Sequence, residues 1–256
     1  MLATEPRRAV SFAARLGSAF IALAIIAVVF YFSFHQLAYK WHWQAVANYR
    51  ENLVHGWLMT LRISIASLIL STAIGVIFAL VRRSRILPLR YFGEMYVELV
   101  RGTPLLVQIL IFFYVVADAF HIQNRYWAGT LILSFFSGAY ISEIVRAGIE
   151  SVSQSQLESA RAIGLTNTQT YRLVIFPQAI RLILPSLVGQ FVSLIKDSSL
   201  LSIIAVNEFT QAARDVNSAT YSTLEAYLPL AAGYLILTLP VAIWTRRLER
   251  KLRFET

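Results

Sequence analysis

Hydrophobic residues run along this chain in long uncharged blocks, with most of the basic residues lying between them. Three blocks carry no charge at all: Gly17 to Phe34, Ile63 to Val81 and Ala226 to Thr245. A helix rises about 1.5 Å per residue and needs about 20 residues to cross a hydrocarbon core roughly 30 Å thick, so each block predicts a membrane span. Pro229 and Pro240 are expected to kink the last one. Two more blocks, Thr103 to Ala117 and Tyr126 to Ile141, are short unless they extend through Glu98 and Arg101, or through Glu143 and Arg146, respectively. A sixth, Ile183 to Val206, is expected to break near its middle at Lys196, Asp197, Ser198 and Ser199. The pattern predicts an all-α, polytopic membrane helical bundle of six transmembrane helices.

Composition agrees. Hydrophobic residues make up 57% of the 256 and charged ones only 14%, with a mean hydropathy of +0.59, which does not describe a water-soluble surface. The 23 Lys and Arg outnumber the 14 Asp and Glu, but they lie between apolar runs, which argues against nucleic acid as a partner. They do set a topology. Six spans put both termini on one side, and that side collects seventeen bases, against four on the other (Lys40, Arg50, Arg125, Arg214) and two within the membrane (Arg62, Lys196). The positive-inside rule makes the richer side cytoplasmic, as expected for a multi-pass protein of a bacterial inner (plasma) membrane. The first span is expected to remain as an anchor, being long for a signal-peptide core and followed by Ser33-Phe34-His35-Gln36, without small residues at the cleavage spacing.

Catalytic chemistry is missing from the pattern. No glycine precedes a lysine, so there is no phosphate-cradling P-loop. His35, His42, His55 and His121 lack metal-ligand spacing, and there is no cysteine and no G-x-S-x-G elbow. The chain is expected to be a pathway and not an enzyme, with no cofactor or metal of its own.

One sizeable loop, Ala147 to Leu182, falls on the basic side. Ser155-Gln156-Leu157-Glu158 has the capping-box pattern and predicts a helix start, and Gly164 suits a left-handed stop. A second helix is expected to begin at Thr166 or Asn167 and to end before Pro177, giving a two-helix knob.

These residues carry a resemblance. Glu158-Ser159-Ala160, Gly164 and then Val174-Ile175-Phe176-Pro177 resemble the EAA loop (E-A-A-x3-G-x9-I-x-L-P) of ABC-importer permeases, with departures at Ser159, Val174 and Phe176. Val97 to Gln108, containing Arg101-Gly102-Thr103-Pro104-Leu105-Leu106, is similar to a segment of the polar amino acid permeases, as are Ala139 to Ile149 and Leu194 to Leu200. The resemblance runs from about Glu51 to Arg253, which divides the chain into a 51–256 permease core of five helices and a 1–50 segment with an extra helix. It implies a second permease subunit, a cytoplasmic ABC ATPase dimer that binds ATP and Mg, and an extracytoplasmic amino acid-binding protein. It further implies ATPase coupling through Glu158, Ser159, Ala160, Gly164, Leu165 and Pro177, although capping alone would also account for Glu158.

Polar residues inside the spans supply the remaining candidates. A charge at the bilayer centre costs ~2.5–3.5 kcal/mol, so each asks for a partner or an aqueous cavity. Lys196 and Asp197 point about 100° apart on a helix and cannot neutralise each other without unwinding. That predicts free amides around Ser198 and Ser199 and a substrate pathway at Lys196, Asp197, Ser198 and Ser199, joined by Gln190, Gln108 and Tyr140. The competing account pairs Lys196 or Asp197 with another helix. Glu98, Arg101, Glu143 and Arg146 are expected to form an inter-helix ion network or gate, and Arg62 to snorkel. Rival readings of the whole chain are an ion-gradient-driven secondary transporter or channel, and a scaffolding membrane protein.

Overall fold

The structure, a computed structural model, describes residues 12–36 and 39–252, and these are helical almost throughout. Arg7, Arg8 and Arg253, counted above on the basic side, lie outside the described residues. The chain divides into two units, Met1–Trp41 and His42–Thr256. Among its described residues the first holds one helix, α1 (Phe12–His35), whose apolar side chains such as Phe20 and Tyr31 are exposed.

The second unit begins with a short helix, α2 (Trp43–Ala47), followed by α3 (Arg50–Val81), α4 (Leu87–Gly102) and α5 (Leu105–Ile111), which continues as a π-helical turn over Phe112–Ala117. Next come α6 (Arg125–Glu150), α7 (Gln154–Ala162) and α8 (Asn167–Thr170), then a π-helical turn Tyr171–Ile175 leading into α9 (Phe176–Asp197). A 3₁₀ segment (Ser198–Ile204), α10 (Phe209–Thr220) and α11 (Thr223–Leu252) complete it. Among the described residues, five helices are long and apolar enough to cross a membrane, and α4 with the α5 segment makes a sixth only as a pair bent by 112°.

That bend corrects one expectation. The third span does not extend straight through Glu98 and Arg101, because Pro104 has no amide to continue the helix and holds Thr103 in an extended conformation (φ −123°, ψ 148°). The fourth span does extend through Glu143 and Arg146, within the 26 residues of α6. The fifth differs again. α9 stays α-helical through Lys196 and Asp197 and tightens to 3₁₀ at Ser198, so the helix changes type within the expected four residues but does not unwind at Lys196 and Asp197. The Ser198 amide is engaged by the Leu194 carbonyl, leaving no free donor there. A left-handed Ala205 (φ 54°) closes the 3₁₀ segment, and its carbonyl accepts from Arg125 Nη1 at 2.9 Å. Pro229 and Pro240 both lie inside the single helix α11.

α3 and α6 form the central pair, and small residues let them approach. Thr60, Ser64, Ser67, Ser71, Gly75 and Ala79 repeat every three or four positions on the buried face of α3. A Cβ on Gly75 would stand 2.5 Å from Ile141 Cγ2, and one on Gly138 would stand 2.7 Å from Ile74 Cγ2, so each helix takes the other's isoleucine over a bare backbone. Gly138→Val is expected to destabilise the fold by about 1–3 kcal/mol through overpacking, read as a lower melting temperature of the detergent-purified protein. Next to this pair, Ile109, Leu133, Leu201 and Val206 centre a buried cluster that anchors α5 and the 3₁₀ segment.

A buried carboxylate ties α10 to its neighbours. Glu208 caps α10 by accepting from the amides of Thr210 (2.9 Å) and Gln211 (2.8 Å), and it also accepts from Tyr234 of α11 (3.0 Å) and Thr60 of α3 (3.4 Å). Burial pushes its carboxyl above the usual carboxylate range, partly opposed by those amides. Glu208→Ala would remove the acceptor of the Thr210 and Gln211 amides and of the Tyr234 and Thr60 hydroxyls, and is expected to lower the melting temperature more than Glu208→Gln, which keeps an acceptor.

Candidate functional site

Two surfaces collect the candidate residues: an open stripe on α9 with an adjoining cavity, and the knob between α6 and α9. On α9, Leu182, Ser186 and Gln190 repeat every four residues, and all three line a cavity of about 450 Å³ together with Arg101, Tyr140 and Glu143. Asp197 lies seven residues beyond Gln190, which on a helix of 3.6 residues per turn is the same face about 10 Å farther along. Gln190, Ser193 and Asp197 are all partly exposed, so the stripe stays open along its length.

The side chains on this stripe differ in how they are engaged. Gln190 Nε2 donates to Ser137 Oγ at 3.2 Å. Asp197 makes no side-chain hydrogen bond and no ion pair with another helix among the described residues. The account in which Asp197 is the fixed partner of a cation on a neighbouring span therefore has no counterpart among the described residues. Lys196 is exposed, Ser199 is partly buried, and Ser198 is buried with its hydroxyl donating to the Ile195 carbonyl (2.8 Å).

Gln108 has a local role. Pro104 leaves the last carbonyls of α4 without intrahelical donors, and the Gln108 amide nitrogen reaches back to Val100 O (2.7 Å), Thr103 O (3.1 Å) and Thr103 Oγ1 (2.8 Å). It staples the elbow, which in turn places Arg101 at the cavity.

Glu143 is the hub of the ion network. Its carboxylate takes Arg82 of α3 at 2.9 Å, Arg101 of α4 at 3.6 Å and Arg146 of its own helix, while Arg146 also pairs with Glu150. Arg101 is the loosest of the three, and its guanidinium lies 5.5 Å from the centroid of the Tyr140 ring. Arg101, Glu143 and Arg146 are thus brought together as the sequence suggests, but Glu98 is exposed and makes no ion pair among the described residues. Arg82 and Glu150 join the network although the sequence does not assign them to it. Arg82 reads in the sequence as one more base beside the membrane, and only its contact across 61 positions reveals the pairing.

In the knob, α7 is not capped as the sequence suggests. Ser153 occupies the N-cap position without a side-chain bond to the helix amides, its hydroxyl pairing instead with that of Ser155 at 3.2 Å, and Ser155 and Glu158 are interior residues of the helix. The capping box falls eleven residues later, where Thr166 Oγ1 accepts from the Gln169 amide (3.3 Å) and Gln169 Oε1 accepts from the Thr166 amide (2.9 Å). Glu158, freed of a capping role, is exposed.

Between the two helices Gly164 adopts φ +80°, with its amide on the Arg161 carbonyl and the Leu165 amide on the Ala160 carbonyl, both at 3.0 Å. This is the Schellman pattern, and it holds the turn between α7 and α8. The second helix does not stop before Pro177: the turn widens to π over Tyr171–Ile175, making room for the proline ring in the first turn of α9. Arg83 Nη2 donates to Tyr171 Oη at 2.8 Å, tying the knob to the end of α3.

Ile163 is 77% exposed, and Leu173 and Phe176 also stand out from the knob, beside a cleft of about 370 Å³ lined by Ser159, Ala160, Leu165 and Val174. Exposed apolar side chains around a polar segment mark a surface suited to protein contact.

Residues 71–254 match the family model described as binding-protein-dependent transport system inner membrane component. A probable glutamine ABC transporter permease protein, GlnM, of Bacillus subtilis is 37% identical over 197 residues, covering 77% of this chain and 91% of the relative. The glutamate/aspartate import permease GltK of Escherichia coli O6:H1 is 30% identical over 223 residues, covering 83% and 99%. A crystal structure of an amino acid ABC transporter with histidines superposes with a TM-score of 0.78 at 34% identity, covering 83% of this chain and all of that one. The inward-facing MetNI methionine ABC transporter shares the fold, with a TM-score of 0.63 at 17% identity. On the family match over residues 71–254 and the likeness to these relatives, this protein belongs to the binding-protein-dependent transport system inner membrane component family, the membrane permeases of ABC importers.

Proposed function

We propose that this chain forms half of the translocation pathway of an ATP-driven importer for a polar amino acid, passing substrate along the α9 stripe and receiving its power stroke through the knob. The observation that carries this reading is Asp197, a partly exposed carboxylate on the open face of α9 without an ion-pair or hydrogen-bond partner on another helix among the described residues. A zwitterionic substrate needs an acceptor for its ammonium and donors for its carboxylate, because unpaired charge in the membrane is expensive. Asp197 supplies the acceptor and the nearby Lys196 a donor. With the Ser198 amide already engaged, the side chains of Lys196 and Ser199 take the place of the free backbone donors expected from the sequence. The cavity at Arg101, Tyr140 and Gln190 continues the route, with the Glu143 network as its gate.

The exposed apolar knob, with Glu158 free at its surface, is the docking surface for a cytoplasmic ABC ATPase dimer that binds ATP and Mg. A second permease subunit, of this or a related chain, closes the pathway, and an extracytoplasmic binding protein delivers the amino acid. The names of the relatives, which specify glutamine, glutamate/aspartate and arginine transport, support a polar amino acid as cargo.

Reconstitution into vesicles tests the reading: uptake requires ATP and a co-purifying nucleotidase. Uptake driven by an ion gradient without nucleotide would instead establish a secondary transporter. Both termini and the knob are cytoplasmic in this assignment. The native chain has no cysteine, so Ser155→Cys gives a clean probe. Its labelling in intact cells by an impermeant extracellular reagent would reverse the topology.

A further inference from the structure

A second cavity of about 520 Å³ opens between the first turns of α9 and the last turns of α11, adjoining the end of the stripe at Leu182 and Ser186. Arg181, Arg246 and Arg250 line it along with a single acid, Glu249. Arg246 and Arg250 are exposed and make no ion pair among the described residues, in contrast to the saturated Glu143 network. Four residues apart on α11, they stand on one face about one helical turn from each other. Two guanidinium forks so placed can each present paired donors to a tetrahedral oxyanion, the geometry arginine offers phosphate.

The remaining wall is apolar except for Ser186, whose hydroxyl donates to the Leu182 carbonyl. Leu182, Pro185 and Leu252 line the cavity, and Trp244 is exposed two residues before Arg246 on α11. A charged recess bordered by apolar side chains at the ends of two spanning helices matches a molecule with an anionic head and a hydrocarbon tail. Basic pockets between membrane helices take phospholipid head groups for this reason.

We propose that this cavity binds the phosphate of an anionic phospholipid, through Arg246 and Arg250, with an acyl chain along Leu182 and Leu252. The positive excess disfavours zwitterionic lipids, whose own cationic group would meet the guanidiniums. Placing the bound lipid in the inner leaflet rests on the topology proposed above, but the recognition of phosphate does not.

Native mass spectrometry of the full chain, purified in detergent with its accompanying subunits, tests the site with phosphatidylglycerol and phosphatidylcholine as probes. Each basic side chain near an anionic membrane surface is worth roughly fivefold in binding, so the double variant Arg246→Gln/Arg250→Gln is expected to lose about thirtyfold in phosphatidylglycerol retention. The control, Arg247→Gln/Lys251→Gln, removes the same charge from positions that do not line the cavity, and is expected to retain the lipid. An equal loss in the control would mean a diffuse surface effect and overturn the site, as would equal retention of both lipids by the unaltered protein. Displacement of phosphatidylglycerol by excess inorganic phosphate would assign the recess to a soluble anion and overturn the lipid assignment. The measurement involves no transport and no sidedness, so its failure is distinct from failure of the importer reading.

Discussion

Gly164→Val is expected to leave the permease inserted and folded while cutting ATPase-coupled uptake by about tenfold or more. Gly164 holds φ +80°, and a Cβ there meets nothing within 4 Å, so the substitution acts through the backbone and not through a clash. A left-handed conformation costs an L-residue roughly 1–2 kcal/mol, and a β-branched side chain is the least able to adopt it. The turn would escape by giving up the Schellman bonds of Gly164 and Leu165, and α7 would swing relative to α8. An ATPase docked on the knob then loses its lever, although the spanning helices, packed elsewhere, are untouched. Gly164→Asn provides the control, because asparagine tolerates this region, and it is expected to retain most coupling. Co-purification of the nucleotidase and substrate-stimulated ATP hydrolysis measure the effect. Wild-type uptake by the valine variant would remove the knob from the coupling path.

Asp197→Asn preserves size and most hydrogen-bonding capacity but removes the charge. A hydrogen bond to a charged group contributes about 1.5–3 kcal/mol, so loss of the ammonium contact is expected to weaken apparent substrate affinity on the order of 10- to 100-fold. Assembly and basal ATP hydrolysis should remain, since Asp197 holds no other helix in place. Transport with unchanged apparent affinity, or failure of the variant to assemble, would take Asp197 out of the substrate path. The two variants separate the two surfaces: one changes coupling at constant affinity, the other affinity at constant coupling.

The knob shows where sequence patterns suffice and where they do not. Gly164 could be placed by sequence because a residue between two short helices that must reverse direction needs positive φ, a strictly local demand. The capping box could not. Both Ser155-x-x-Glu158 and Thr166-x-x-Gln169 satisfy the pattern, and which one caps depends on where the chain leaves α6. The route out of α6 starts α7 at Gln154, two residues early for the first box, so Ser155 falls inside the helix.

The polar residues of the spans divide in the same way. Their rarity in an apolar chain singled out Arg101, Glu143, Arg146 and Asp197 without reference to any fold. Their roles depended on geometry: Glu98, one turn from Arg101, is exposed and makes no ion pair among the described residues, while Arg82, far off in sequence, enters the network at 2.9 Å. Gln108 became the staple of the α4–α5 elbow only because Pro104 bends the chain by 112° and orphans two carbonyls nearby.

By itself the sequence determined the quantities that depend on counting and on short range: the spans from hydrophobic length, the charge asymmetry from basic residues, the left-handed turn of the knob from a glycine. Tertiary structure decided which helix packs on which, where a span bends or tightens, and which charge is left unpaired. A span is selected by its own transfer from water to lipid, a sum over its residues. A contact such as Arg82 with Glu143, or Gly75 beneath Ile141, is selected by the joint fit of helices distant in sequence, and no single segment contains that information.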